Sequence, residues 1–83
     1  MFRIAFKKSA EKQLRDLPER QRERVFDALE AVSADPFQGK KLHGEWLGHY
    51  SVRVWPYRII YTIDKDVVKV TVVTIAHRKD AYR

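Results

Sequence analysis

Residues 2–7, FRIAFK, alternate Phe2, Ile4 and Phe6 with Arg3, Ala5 and Lys7. A period of two predicts a half-buried strand. Ser9 then offers an N-cap for a helix whose apolar positions Ala10, Leu14 and Leu17 follow at helical spacing. Pro18 suits the first turn of a new helix better than the interior of an old one, so a second helix is expected over about 18–34. Its core stripe is Val25, Phe26, Leu29 and Val32, with Arg20, Arg22, Glu23, Asp27 and Glu30 read as solvated. Asp35-Pro36 ends it, because the residue before a proline is driven out of helical backbone.

From 37 to 48 the pattern lapses into FQGKKLHGEWLG, a long loop by its three glycines and its Lys40-Lys41 pair. Three strands follow, over 50–54, 57–63 and 68–75, joined by Trp55-Pro56 and by Asp64-Lys65-Asp66. Connections this short predict an antiparallel meander. The expected fold is α+β, in the order β-α-α-β-β-β, as one domain over 1–83. A helical hairpin packs on one face of a small, largely antiparallel sheet, a short basic tail follows, and no element remains to cover the other face.

Charge sharpens this picture. The chain has 17 Lys+Arg against 11 Asp+Glu, a formal net charge of +6. Residues 8–35 carry six basic and seven acidic groups, whereas 46–83 carry seven basic and three acidic ones. The first half looks like an ordinary mixed helical surface and the second like a surface that meets an anion, and nucleic acid and plain solubility both remain open. There are no cysteines, which excludes a disulfide staple and a cysteine zinc site. His43, His49 and His77 lack helical spacing or a carboxylate cluster, so no metal and no cofactor are expected. No apolar run suffices for a membrane span, and MFRIAFKKSAEKQL lacks the features of an export signal, so a cytoplasmic location is expected.

A two-residue turn at Trp55-Pro56 would pair Val54 with Tyr57, Arg53 with Arg58 and Val52 with Ile59. Tyr50, Val52, Val54, Tyr57, Ile59 and Tyr61 then face the helices, and Ser51, Arg53, Arg58 and Ile60 face away. Like charges directly opposite on a sheet are unfavourable, and paired guanidinium groups suit a phosphate. Two readings stand on these residues alone: the arginines clasp an anion, or they splay into solvent. A wider turn would shift the register, and proline at the second turn position fits a type I turn poorly.

The chain closes on AHRKDAYR. YRIIYTIDKD over 57–66, a valine-rich strand and HRKDAYR over 77–83 together resemble the RelE/ParE superfamily of toxins from type II toxin–antitoxin modules. The resemblance runs the length of the chain, through the opening strand, the helical hairpin and a GKKLHG-type loop. It implies an mRNA endoribonuclease of the RelE type that acts on codons in the ribosomal A site and is silenced in a hetero-oligomer with a cognate antitoxin. Ribosome and mRNA are then the partners, and the ribose 2′-hydroxyl attacks the adjacent phosphate. Carried over position by position, Arg53 falls on a family Lys/Arg position, Arg58 on the arginine of the YR motif, Arg78 on the arginine of the C-terminal motif and Tyr82 on a base-stacking tyrosine. Ser51 stands where a second lysine is common, and Trp55-Pro56 replaces a Gly/Asp-type turn.

The residues themselves are compatible with those roles. Fixed guanidinium donors stabilise the charge that builds on non-bridging oxygens, and arginine keeps its charge at any relevant pH. That makes Arg53 a poor general base. His77 is the alternative base, or a structural histidine near a strand end; neighbouring strand residues point to opposite faces, so His77 and Arg78 cannot both face an RNA without a break near Ala76. Lys40, Lys41, His43 and Arg83 either grip an RNA or ribosomal backbone through charge or are plain solvated surface. Other classes also fit a basic domain of this shape: a ParE-like inhibitor of DNA gyrase, or an RNA- or ribosome-binding module without chemistry.

Overall fold

The computed structural model describes residues 1–80. The chain runs β1 (Arg3–Phe6), α1 (Lys8–Asp16), α2 (Glu19–Ala34), β2 (Lys40–Lys41), β3 (His49–Val54), β4 (Tyr57–Asp64) and β5 (Lys69–His77), with 3-10 turns at Pro36–Gln38 and Gly44–Trp46. Among the described residues the strands form one sheet in the order β1-β5-β4-β3-β2. β1 lies parallel to β5, and every other pairing is antiparallel. No helix among these residues is long and apolar enough to cross a membrane.

The period-two segments do become strands, because alternation lets one face of each bury against the helices. Ala10 and Leu14 of α1 and Val25, Leu29 and Val32 of α2 meet Val54, Ile59, Tyr61, Val70, Val72 and Ile75 of the sheet in one core. Phe26, expected in that stripe, is instead 50% exposed. Val25, Leu29 and Val32 already form a complete i, i+4, i+7 line, and Phe26 is turned about 100° from Val25 at 3.6 residues per turn.

Ser9 is not the N-cap of α1. Lys7 holds that position without a side-chain cap bond. The Lys7 N–H still bonds the Val72 carbonyl, while its own carbonyl accepts the Glu11 N–H, so the helix starts directly where the sheet ends. At the corner between the helices, the Arg22 guanidinium donates to the carbonyls of Arg15 and Leu17 at 3.1 and 3.0 Å. It caps the C-terminus of α1, where orphan carbonyls and the negative helix end favour a cation, rather than standing in solvent. Beyond the end of β1, Gln13 serves the exposed edge of β5: its Oε1 accepts the Ile75 N–H at 2.8 Å and the Thr74 hydroxyl at 3.2 Å.

The stretch expected as one long loop contains a strand. Lys40 pairs with Ser51 and Lys41 with Tyr50, a short lysine edge of the kind that resists further strand addition. What brings this segment down is Tyr61. Its hydroxyl, fully buried, donates to the Pro36 carbonyl at 2.7 Å, and a Cβ placed on Gly39 would fall on that hydroxyl. Gly39 is therefore required by close approach. The strand expected from Val68 begins one residue later, since Val68 adopts a left-handed backbone with φ of 54°, unusual for a β-branched residue.

Two outcomes follow from the Tyr61 anchor. Gly39→Ala should cost about 1–3 kcal/mol, the usual range for overpacking, measured by urea unfolding; an unchanged midpoint would contradict the close approach. Burial, with the neighbouring Tyr50, pushes the Tyr61 phenol up to about 12. The unfolded chain ionises this tyrosine near its ordinary value of about 10, so the folded state holds the extra proton and stability falls as pH rises between those values. Tyr61→Phe should remove one late-titrating tyrosine from the ultraviolet titration and flatten that alkaline loss.

Candidate functional site

The meander sets the geometry. Trp55 and Pro56 alone connect β3 to β4, their peptide bond is cis, and Val54 pairs with Tyr57. Arg53 is therefore directly opposite Arg58, in the expected register. Both belong to the face without helices. That face is not bare throughout: Ile60, Ser51 and Leu42 are buried on it. Its exposed part lies at the turn end, where Arg53 and Trp55 are in solvent and Arg58 is half-buried.

Arg78 reaches the same end from β5, and a β-bulge decides how. Ile60 pairs with Thr74, but Tyr61 pairs with Val72, which leaves Val73 as an extra residue. One extra residue reverses the alternation of faces. Val70 and Val72 face the core before it, and Ile75 faces the core after it. Ala76, opposite Arg58, and Arg78 two residues later are thus in phase with the arginine face. His77, opposite Tyr57, is in phase with the helix side. No break near Ala76 occurs; the strand runs to His77.

The end of the strand is tied to the turn. The Arg78 N–H donates to the Pro56 carbonyl at 2.7 Å, and the Arg78 guanidinium lies 5.1 Å from the centroid of the Trp55 ring. A cation over an indole face is favourable by about 0.5–1 kcal/mol at an exposed site. From the helix side, Arg24 Nη1 donates to the Trp55 carbonyl at 2.8 Å and to Gln21 Oε1 at 2.9 Å. Arg53, Arg58, Arg78 and Arg24 therefore surround one two-residue turn. Arg24 was not singled out by the sequence reading, because a helical arginine among other charges looks like solvated surface; no local signal marks a contact 31 residues away.

The remaining candidates separate. His77 packs edge-on against Tyr57 with ring centroids 5.7 Å apart, and its Nδ1 accepts the Lys79 N–H at 3.3 Å. It is not brought to the arginine pair. Ser51 is 2% exposed and lies on the arginine face, two positions along β3 from Arg53. Lys40, its partner, shares that face, while Lys41 pairs with Tyr50 on the other. His43 is exposed and precedes the turn at Gly44–Trp46. Tyr82 and Arg83 lie outside the described residues. Among the described residues no group of three or more histidine, aspartate or glutamate side chains is arranged to hold a metal.

Such an arrangement has the chemistry to bind and polarise an anion. Two guanidinium groups on adjacent strands raise the local potential, and a third is held at the same turn by the Trp55 ring. Replacing Arg53, the exposed member, with threonine should relieve repulsion worth a few tenths of a kcal/mol. The gain should shrink as salt rises from about 0.01 M to about 1 M, measured by urea unfolding at several ionic strengths. A gain that ignores salt would contradict an electrostatic origin.

The chain is similar to known proteins over nearly its whole length. The family described as "ParE toxin of type II toxin-antitoxin system, parDE" matches residues 4–82. Toxin RelG of Mycobacterium tuberculosis is 33% identical over 84 residues, covering 99% of this chain and 97% of that protein. The toxin–antitoxin complex RelBE2 from the same organism superposes with a TM-score of 0.84 at 32% identity, covering 93% of this chain and 98% of that one. The intact RelBE complex of E. coli gives 0.81 at 25% identity, with 93% and 96% covered. A YoeB/ParE toxin from Agrobacterium tumefaciens, 17% identical, shares the fold with a TM-score of 0.81 over 92% of this chain and 98% of that one.

Proposed function

The chain belongs to the RelE/ParE family of type II toxin–antitoxin toxins, and we propose that this member is a ribosome-dependent endoribonuclease that cuts mRNA at codons in the ribosomal A site. The observation that carries this reading is the Arg53–Arg58 cross-strand pair with Arg78 held at the same turn. Its regulating partner is a cognate antitoxin, in keeping with the toxin–antitoxin complexes it resembles.

The reaction asks for little beyond positive charge in the right place. The 2′-oxygen of the substrate ribose gives up its proton and forms a bond to the adjacent phosphorus; the bond to the 5′-oxygen breaks, and that oxygen takes up a proton. The upstream fragment ends in a 2′,3′-cyclic phosphate. Between those two events negative charge builds on the non-bridging oxygens, and preorganised donors aimed there lower the barrier. Arg53 and Arg58 stand opposite each other on the meander, which supports this role. Arg78 is restrained by its own N–H and by the Trp55 ring, so little freedom is lost when it binds. His77 acts in this scheme by shaping the end of β5, through Tyr57 and Lys79, and not as a base. Lys40, on the same face as the pair, supplies longer-range attraction for the RNA backbone.

A gyrase-directed action, favoured by the ParE description, has no need of the arginine pair. Translating ribosomes with a programmed A-site codon separate the two. Wild type should cut the A-site codon, and Arg58→Ala or Arg78→Ala should each lower the rate by about 100-fold or more, the loss typical of one transition-state donor. Intact mRNA with gyrase-linked DNA breaks would support the ParE-like action, and intact mRNA with ribosome binding would support a module without chemistry.

A further inference from the structure

Trp55 is 53% exposed, yet its backbone and one side of its ring are held. Its carbonyl accepts Arg24 Nη1 at 2.8 Å, the carbonyl of the next residue accepts the Arg78 N–H at 2.7 Å, and the Arg78 guanidinium covers one side of its ring. Trp46, by contrast, is half-buried with its ring edge-on to His49. A large aromatic ring that is fixed in place and left in solvent forgoes the burial that usually stabilises it. Its surroundings carry positive charge on several sides: Arg53 two positions before it, Arg58 three after, Arg78 on its ring and Arg24 at its carbonyl.

We propose that Trp55 is a stacking platform for one nucleobase of single-stranded RNA, placed beside the arginine pair that takes the neighbouring phosphate. Unpaired bases are held by stacking on aromatic rings and guanidinium planes, and the indole with Arg78 provides both. Arg53 precedes Trp55 by two positions, at most about 7 Å of strand, a span suited to one nucleotide reaching from phosphate to base. Arg24 is a positioning residue here: it fixes the turn from the helix side and touches neither phosphate nor base.

This assignment rests on the RNA reading of the arginine pair, and its test does not depend on cleavage. The chain has two tryptophans, so a Trp46→Phe variant reports Trp55 fluorescence alone. Titration with a short single-stranded RNA should quench it, and the same ribose-phosphate backbone made abasic should not. Trp55→Leu should weaken binding of the base-bearing RNA by about 10-fold, in line with the loss of one stacked base, and binding of the abasic strand by clearly less, since there only the hold on Arg78 is lost; Trp55→Phe should restore most of both. Absence of base-dependent quenching would overturn the proposal, as would an equal loss by Trp55→Leu on both strands, which would mean that the ring only holds Arg78. A wild type that shows the quench but leaves A-site mRNA intact would refute the endonuclease and keep the platform; one that cuts mRNA without the quench would do the reverse.

Discussion

A connection of only two residues between β3 and β4 is the constraint on which the rest of the site depends. With Trp55 and Pro56 as the entire link, Val54 must face Tyr57, and the next pair outward is Arg53 against Arg58. A slip of β3 by one residue against β4 would send Val52 and Val54 away from the helices and turn Arg53 towards the core. The core therefore enforces the arginine pair: burial of Val54 and Ile59 under α1 and α2 outweighs the repulsion between two cations on the opposite face.

A second constraint acts through β5. The extra residue at Val73 exchanges the faces of everything after it, so that Ile75 still meets the core while Ala76 and then Arg78 come round to the arginine side. Bulges commonly re-aim a side chain near a functional site, and here the bulge assigns Arg78 to one face and His77 to the other. The helices take part as well. Gln13 accepts the Ile75 N–H and the Thr74 hydroxyl on β5, past the point where β1 ends. Arg24 ties α2 to the turn, and the Tyr61 hydroxyl draws Pro36 and Gly39 onto the sheet so that Lys40 and Lys41 can pair with β3. The arginine face is held from behind.

Much of this was legible in the sequence, for physical reasons. FRIAF and, apart from Ile60, YRIIYTID alternate with a period of two, so the strands could be read from spacing; the Arg53–Arg58 register followed only for a two-residue turn, which a wider turn would have shifted. Asp35-Pro36 stops α2 where expected, because the restriction on a residue before proline is local. Features that depend on distant partners were not legible. Lys40-Lys41 has no apolar period, and only the edge of β3 makes it a strand. Arg22 and Arg24 resemble solvated helix arginines, and only the α1 terminus and the Trp55 turn reveal their bonds. Ser9 looks like a cap in isolation, but the last sheet bond of Lys7 starts the helix two residues sooner. The doubled Val72-Val73 breaks the alternation in plain view, yet its effect on His77 and Arg78 needs the pairing with β4 to be seen.

The central claim is that these arginines stabilise charge during attack of a ribose 2′-oxygen on its own phosphate. The most direct test is the chemistry of the cut ends of mRNA recovered from translating ribosomes exposed to the wild-type protein. The account predicts an upstream fragment ending in a 2′,3′-cyclic phosphate, a downstream fragment beginning with a 5′-hydroxyl, and no cut where the attacking ribose is replaced by a 2′-deoxy sugar. A cut that persists at the 2′-deoxy position, or an upstream fragment ending in a 3′-hydroxyl, would contradict it.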